Sequence, residues 1–168
     1  MRIRIVGCSG SGKTYLAEKL SERYGVPHYD LDDLVWDNDA GEYGVRTVPE
    51  KRDAMLAELT ARRDWIIEGV YYAWCAETFR QADEVYLLDL PLRVCRRRII
   101  LRFLRRRLGL EPGKRETLRS LRELLDWTER FSKKNLPEIR ALLSDCAGKV
   151  TVLHTKAEID RVIGESGK

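Results

Sequence analysis

Residues Gly7 to Thr14 read Gly-Cys-Ser-Gly-Ser-Gly-Lys-Thr, the full G-x-x-x-x-G-K-[ST] spacing of a phosphate-binding loop. The run Ile3-Arg4-Ile5-Val6 precedes it and the helical pattern Tyr15-Leu16-Ala17-Glu18-Lys19-Leu20 follows. That strand–loop–helix setting is what the spacing needs in order to act. Glycines let successive backbone N–H groups turn inward around phosphate oxygens, at angles a Cβ would obstruct. The following helix presents its positive N-terminal end to the same anion. Gly7, Ser9, Gly10, Ser11, Gly12, Lys13 and Thr14 are therefore the expected nucleotide-binding positions. Lys13 is placed to reach the β- and γ-phosphates and Thr14 to offer a hydroxyl to Mg²⁺. The ligands expected are ATP, or another nucleoside triphosphate, and Mg²⁺.

Phosphoryl transfer asks little covalent help of a protein. It needs two substrates in line and positive groups around the moving phosphoryl. Glu68 ends the apolar run Trp65-Ile66-Ile67 and is the expected metal residue beside Thr14, acting directly or through water. Asp89, at the end of Val85-Tyr86-Leu87-Leu88, is a rival, although its place before Leu90-Pro91 favours capping of the next helix. Asp32 is the expected residue to orient or deprotonate an acceptor hydroxyl. Asp30 and Asp33 flank it on a segment read as extended, where alternate side chains point to opposite faces. Arg46 and Arg52 are candidates for gripping an acceptor anion. Trp36, Tyr71, Tyr72 and Trp74 gather in neighbouring loops and suit a planar or apolar acceptor, although core packing is the commoner fate of such rings.

Net charge is only +4, yet eight arginines fall between Arg93 and Arg107. Partners carrying phosphate are expected from such a cluster, although arginines on a long helix commonly form a solvated face. Arg98 and Arg102, four residues apart, share one face of it. The four cysteines (Cys8, Cys75, Cys95, Cys146) form no C-x-x-C pair, and with two separate histidines they argue against a zinc site. Reduced, buried thiols are expected, with Cys8 set apart by its place in the loop. A nearby helix N-terminus and Lys13 would raise thiolate character there and make it a point of oxidative inactivation. No apolar run approaches the roughly 18 residues of a membrane helix, and no secretory signal is visible. A cytoplasmic protein without membrane contact, monomeric or a small homo-oligomer, is the expectation.

The elements that must position these residues alternate strand and helix, the pattern of a parallel α/β sheet. Strands are expected at Arg2–Val6, His28–Leu31, Trp65–Glu68, Val85–Asp89 and Lys149–His154. Helices are expected at Lys13–Tyr24, stopped by Gly25, and at Pro49–Arg62, with proline in its first turn. Further helices are expected at Ala73–Gln81, Pro91–Leu108, Glu116–Phe131, Asn135–Leu143 and Ala157–Ile163. Trp36–Val48 reads as a loop, and Gly109-Leu110-Glu111-Pro112-Gly113 as a helix break.

Together these pieces resemble the nucleoside-monophosphate-kinase branch of P-loop proteins, adenylate-kinase-like in layout. Three segments carry the likeness: Gly7–Thr14, then Ile66-Ile67-Glu68-Gly69, then Asp89-Leu90-Pro91 with Arg98-Ile99 and Arg102. Leu31-Asp32 with Trp36, and Trp65 through Tyr71, further resemble a bacterial group labelled topology modulation proteins. The resemblance implies a three-layer P-loop fold with a five-stranded parallel sheet in order 2-3-1-4-5, helices on both faces and a helical lid at about 102–132. The whole of 1–168 would then form one domain, with ligands at the carboxyl ends of the strands. It also implies that Arg98 stacks on the nucleotide base and that Arg102 binds phosphates from the lid, beside the catalytic Lys13 and Asp32. Arg130 and Lys133, just beyond, are further candidates. Glu68 stands where many relatives carry Asp, and the usual Gly-Phe-Pro-Arg after the acid is absent, which counts against AMP as acceptor.

Two functions follow. The first is a kinase moving the γ-phosphoryl of Mg-ATP to a nucleoside monophosphate or another small metabolite. The alternative is a nucleic-acid-associated P-loop ATPase or regulator using the Arg93–Arg107 helix. Binding to a phosphate backbone through several arginines weakens steeply with salt, whereas nucleotide binding in a closed loop does not.

Overall fold

Strands rich in Ile, Val and Leu on both faces build the centre of the molecule, as buried parallel strands require. The computed structural model describes residues 1–37, 45–111 and 117–165. Its strands are β1 (Arg2–Gly7), β2 (His28–Asp30), β3 (Trp65–Gly69), β4 (Glu84–Leu88) and β5 (Val150–Leu153). All neighbours pair in parallel, in the order β2-β3-β1-β4-β5, as the family likeness implied. Ile3, Ile5, Ile66, Ile67, Val85 and Leu87 are buried on its two faces. The register sets the site: Ile5 lies beside Glu68 on β3 and Tyr86 on β4, and Asp30 lies beside Glu68. Asp30, Glu68 and the loop after Gly7 therefore emerge together at the carboxyl end of the sheet.

The helices are α1 (Lys13–Tyr24), α2 (Asp32–Val35), α3 (Pro49–Thr60), α4 (Glu77–Gln81), α5 (Leu92–Arg107), α6 (Leu118–Arg130), α7 (Leu136–Leu143) and α8 (Lys156–Glu165). Gly25 ends α1 in the left-handed region, its N–H bonded to the Ser21 carbonyl. Thr117 caps α6: its Oγ1 accepts from the Ser120 N–H at 3.1 Å, and Ser120 Oγ accepts from the Thr117 N–H at 2.9 Å. Such reciprocal caps satisfy donors that the first helical turn leaves open.

Four expectations need correction. The acidic segment is extended only to Asp30. There the Asp30 carboxylate accepts the Asp32 N–H at 2.8 Å, and Asp32–Val35 turns into α2 with Leu34 and Val35 bonded back to the Leu31 carbonyl. Asp32 and Asp33 thus lie on a helical turn, and strand alternation does not govern them. The helix expected from Ala73 begins only at Glu77. The break expected between Phe131 and Asn135 is a π-helical turn, Phe131–Asn135, which joins α6 to α7. Asp89 does not cap α5, whose first turn receives no side-chain cap; its carboxylate instead pairs with Arg140 and lies 3.8 Å from His154. The described ends of the 36–48 loop are joined by an antiparallel bridge between Trp36 and Arg46, while 38–44 lie outside the described residues. So do 112–116, which take in the last two residues of the expected helix break and the expected start of the next helix at Glu116.

Candidate functional site

The phosphate loop is shaped by two glycines with positive φ, Gly10 at 75° and Gly12 at 104°. At Gly10 the constraint is double, because a Cβ there would sit 2.7 Å from the Cys95 carbonyl oxygen of α5. Gly12 forms the N-terminal boundary of α1 and no side chain caps it, and the N–H groups that a first helical turn leaves open are those that bind phosphate. Lys13 is buried and donates from Nζ to the Cys8 carbonyl at 3.1 Å. Thr14 Oγ1 donates to Glu68 Oε1 at 2.5 Å. The first loop helix and the end of β3 are thereby tied together by the two residues expected to manage a metal.

These groups line one cleft of 790 Å³, within the range of small-molecule sites. Ser9, Gly10, Gly12, Lys13, Thr14, Asp30, Asp32, Glu68, Arg98 and Arg102 all face it, along with Arg106. Gly7 and Ser11 belong to the loop but do not line the cleft, and Ser11 is buried. Arg98 donates from Nη1 to the carbonyls of Ser11 at 2.9 Å and Gly10 at 3.3 Å. It is thus seated on the loop backbone, within reach of the phosphate end. At the opposite end Arg46 lies 5.4 Å over the Trp36 ring. Arg52 instead stacks on Trp74 at 4.2 Å and pairs with Asp53 at 2.7 Å. Lys133 pairs with Glu129 at 2.7 Å; neither it nor Arg130 lines the cleft.

Four contributors escaped the sequence reading. Tyr71 was noted only as one of several loop aromatics, yet its hydroxyl donates to Asp32 Oδ1 at 2.7 Å. Burial foremost, then this bond, holds its phenol well above the usual pKa, so Tyr71 stays a neutral donor. Trp127 and Leu124 on α6 also line the cleft. Arg4 lies fully buried inside β1. Its guanidinium donates to the carbonyls of Tyr71 at 2.8 Å and Ile67 at 3.2 Å and to Thr78 Oγ1 at 3.2 Å, and stacks 4.8 Å from the centre of the Phe79 ring. A buried charge persists only when paired or well hydrogen-bonded, and here those bonds fix the turn that carries Tyr71.

Burial pushes the Asp30 carboxyl up to about 7 from an ordinary 3.8, with the Glu68 charge adding to it. The folded state therefore holds a proton that the unfolded chain has released between pH 3.8 and 7. Stability from this group falls as pH rises through that window, and the burial cost is fully present above it. Asn at position 30 keeps the oxygen that accepts the Asp32 N–H and cannot ionise. In urea unfolding at pH 5 and pH 8, Asp30→Asn gains more stability over wild type at pH 8 than at pH 5. An equal difference at both values would show that Asp30 titrates normally.

Cys8 departs from expectation. Its thiol is only 7% exposed and is pushed up, first by donating its proton to Cys95 Sγ at 3.4 Å and then by burial. Lys13 pulls the other way without prevailing.

Among the described residues no three His, Cys, Asp or Glu side chains converge as a preformed metal cage. Mg²⁺ on a nucleotide needs none, being held by one or two protein oxygens, phosphates and water. The Thr14 hydroxyl beside the buried Glu68 carboxylate is a hard-oxygen pair of that kind. Asp89, the rival acid, lines a separate crevice with Cys8, Leu90 and Phe131. Among the described residues no helix is long and apolar enough to cross a membrane.

A family model described as an AAA domain matches residues 3–116. The chain belongs to this AAA domain family. The AAA match runs from β1 past the end of α5 and so takes in the loop, Glu68 and the arginine cluster. Uncharacterized protein YqaC of Bacillus subtilis (strain 168) is 32% identical over 89 residues, which cover 53% of this chain and 49% of that protein. The chain thus spans about half the length of the curated relative it matches. Among solved structures, shikimate kinase from Acinetobacter baumannii in complex with shikimate superimposes with a TM-score of 0.58 at 20% identity, over 98% of this chain and 89% of the other. Shikimate kinase from Bacteroides thetaiotaomicron gives 0.55 at 19% identity, over 98% and 95%. An unliganded sugar kinase from Janibacter sp. HTCC2649 gives 0.54 at 18%, over 98% and 91%. These likenesses show the fold: a three-layer α/β P-loop arrangement with a five-stranded parallel sheet. The adenylate-kinase-like layout read from the sequence widens accordingly to a P-loop fold that shikimate and sugar kinases also have.

Proposed function

We propose that this protein transfers the γ-phosphoryl group of Mg-ATP, or another nucleoside triphosphate, to a hydroxyl of a small acceptor. One observation carries the reading: Asp32, held by Tyr71 and by the Asp30 carboxylate at its own N–H, faces the same cleft as Lys13, Thr14 and Glu68. An acid facing the cleft of the phosphate-binding loop is what a kinase needs to orient an acceptor hydroxyl and take its proton. The loop amides and Lys13 hold the donor phosphates. Thr14 and Glu68 would hold Mg²⁺, which would supply positive charge against the phosphate oxygens. Asp32 takes the proton of the acceptor hydroxyl as its oxygen bonds to the γ-phosphorus and the bond to the β-phosphate oxygen breaks, releasing the diphosphate. Arg98 and Arg102 surround the charge that develops. The segment of about 102–132, with Leu124 and Trp127 on its inner side, closes as a lid and keeps water from taking the phosphoryl group.

At the acceptor end, paired acids suit hydroxyl donors, and Arg46 stacked on Trp36 suits an anionic group. The acceptor is thus a small hydroxylated anion, a class that covers the shikimate named for one structural neighbour as well as nucleoside monophosphates, and that leaves neutral sugars outside it. Kinship with the topology modulation group rests on Leu31-Asp32, Trp36 and the Trp65–Tyr71 run. An acceptor screen with Mg-ATP, scoring diphosphate release over nucleoside monophosphates, nucleosides, sugars and hydroxy acids, tests the reading. Acceptor-stimulated turnover lost in Lys13→Ala is the expected result. DNA-stimulated hydrolysis with no response to any acceptor would favour the alternative, in which exposed Arg93, Arg97, Arg105 and Arg107 hold a phosphate backbone.

Glu68→Gln keeps an oxygen for the Thr14 hydroxyl and removes the charge. The Mg²⁺ concentration for half-maximal turnover should rise about 10–100-fold, the usual cost of losing a metal's outer support. An unchanged Mg²⁺ titration would move the metal elsewhere.

A further inference from the structure

We propose that Cys8 and Cys95 form a redox modification site at the root of the phosphate loop, closing to a disulfide under hydroperoxide and thereby weakening nucleotide binding. The two residues are 87 apart in sequence, yet their sulfurs lie 3.4 Å from each other. Cys8 is the second residue of the loop and Cys95 lies in the first turns of α5. The pair is polarised. Cys8 donates its S–H to Cys95, and this bond foremost, aided by the positive charges of Arg98 and Lys13, lowers the Cys95 thiol. A more acidic thiol beside a partner thiol in reach is the arrangement of a redox pair. Access to the pair is at Cys8, from the crevice it shares with Asp89, Leu90 and Phe131, since Cys95 itself is fully buried; hydrogen peroxide is little larger than water.

The chemistry balances with peroxide as the only co-reactant. The thiolate of the pair attacks one peroxide oxygen, breaking the O–O bond; a sulfenic acid forms and hydroxide leaves, taking up a proton as water. The second sulfur then attacks the sulfenic sulfur, its proton leaves with the displaced hydroxide, and a second water is released. Two thiols are oxidised by two electrons and one peroxide is reduced to two waters. A thiol reductant reverses the bond by exchange.

The consequence follows from packing. A disulfide is about 2.05 Å long, so the 3.4 Å gap must shorten by about 1.4 Å. The loop has little room to absorb this by sliding toward α5, because it runs so close to that helix that a Cβ added at Gly10 would sit 2.7 Å from the Cys95 carbonyl oxygen. The peptide planes around Cys8–Gly10 must therefore shift, and with them the Cys8 carbonyl that holds Lys13 and the loop carbonyls that hold Arg98. This effect concerns nucleotide affinity and stands whatever the acceptor is.

The test treats the reduced full-length protein with a few equivalents of hydrogen peroxide, quenches with an alkylating reagent and measures intact mass and linked peptides. A fluorescent ATP analogue with Mg²⁺ gives nucleotide affinity before oxidation, after it and after dithiothreitol. A mass loss of two hydrogens, a Cys8–Cys95 linked peptide, an affinity at least tenfold weaker and full recovery with dithiothreitol are expected. Cys95→Ala should form no linked species and keep its affinity through the treatment, while Cys146→Ala should behave as wild type. Circular dichroism on each variant checks that it is folded. If Cys95→Ala does not fold, the linked-peptide yield and affinity of wild type and Cys146→Ala decide alone. Oxidation confined to Cys75 or Cys146, or a Cys8–Cys95 bond that leaves affinity within twofold, would overturn the proposal.

Discussion

Lys13→Ala lowers acceptor-dependent turnover with Mg-ATP by about 10²–10³-fold, the usual cost of removing one preorganised donor to developing charge. The reason lies in where the ammonium is kept. Lys13 is only 9% exposed and its hydrogen bond goes to the Cys8 carbonyl, within its own loop. A lysine parked on a backbone oxygen gives up one neutral partner to reach a triphosphate, so its charge is spent almost wholly on the ligand. Alanine removes that charge without leaving a buried acid unpaired, because Glu68 is engaged by Thr14 and not by Lys13. Stability should accordingly stay within about 0.5 kcal/mol of wild type, as for substitutions that leave no buried group unpaired. Steady-state turnover, nucleotide titration and a urea melt separate the possibilities. A variant that melts earlier and binds weakly in proportion would mean that Lys13 holds the loop together. A stable variant with wild-type turnover would remove the loop from the chemistry.

The loop was legible because it is local. Eight consecutive residues carry its glycines, its cation and its hydroxyl, and the flanking periodicities announce strand and helix. Glu68 was legible for a similar reason, as a charge ending an apolar strand. What stayed hidden depends on register between distant segments. The Tyr71 bond to Asp32 exists because β3 lies beside β2 with Asp30 level with Glu68. The Cys8–Cys95 pair exists because α5 follows β4, the strand next to β1, and so packs against the loop. Arg4 was read as part of a strand, and only the full fold shows its charge buried among carbonyls. Asp89 failed as a cap because β5 brings His154 beside it and the end of α7 brings Arg140. An ionic partner outcompeted the backbone amides of α5, and neither partner is near in sequence.

The same distinction sharpens the assignment of Asp32, an acid read from a short segment whose conformation was mistaken. On a strand, Asp32 would have shared a direction with Asp30; on α2 it is swung into the cleft and its N–H is tied to the Asp30 carboxylate. Asp32→Asn should lower kcat by about 10²–10⁴-fold, the range for loss of a general base, while nucleotide affinity stays within twofold. The asparagine still accepts the Tyr71 hydroxyl, so geometry is kept and only proton uptake is lost. Tyr71 touches Asp32 and not the transferred group, and is a positioning residue. A hydrogen bond to a charged group contributes about 1.5 kcal/mol at the low end, so Tyr71→Phe should lower kcat by about tenfold. Its KM for ATP should not change, and Asp32→Asn combined with it should cost little more than Asp32→Asn alone. That non-additivity separates a shared unit from two structural losses, which would add. If Asp32→Asn kept wild-type kcat and raised only the KM of the acceptor, Asp32 would bind the acceptor without taking its proton. The base would then have to be sought among the other acids of the cleft, first at Asp30, whose carboxyl at about 7 is already poised to exchange a proton near neutral pH.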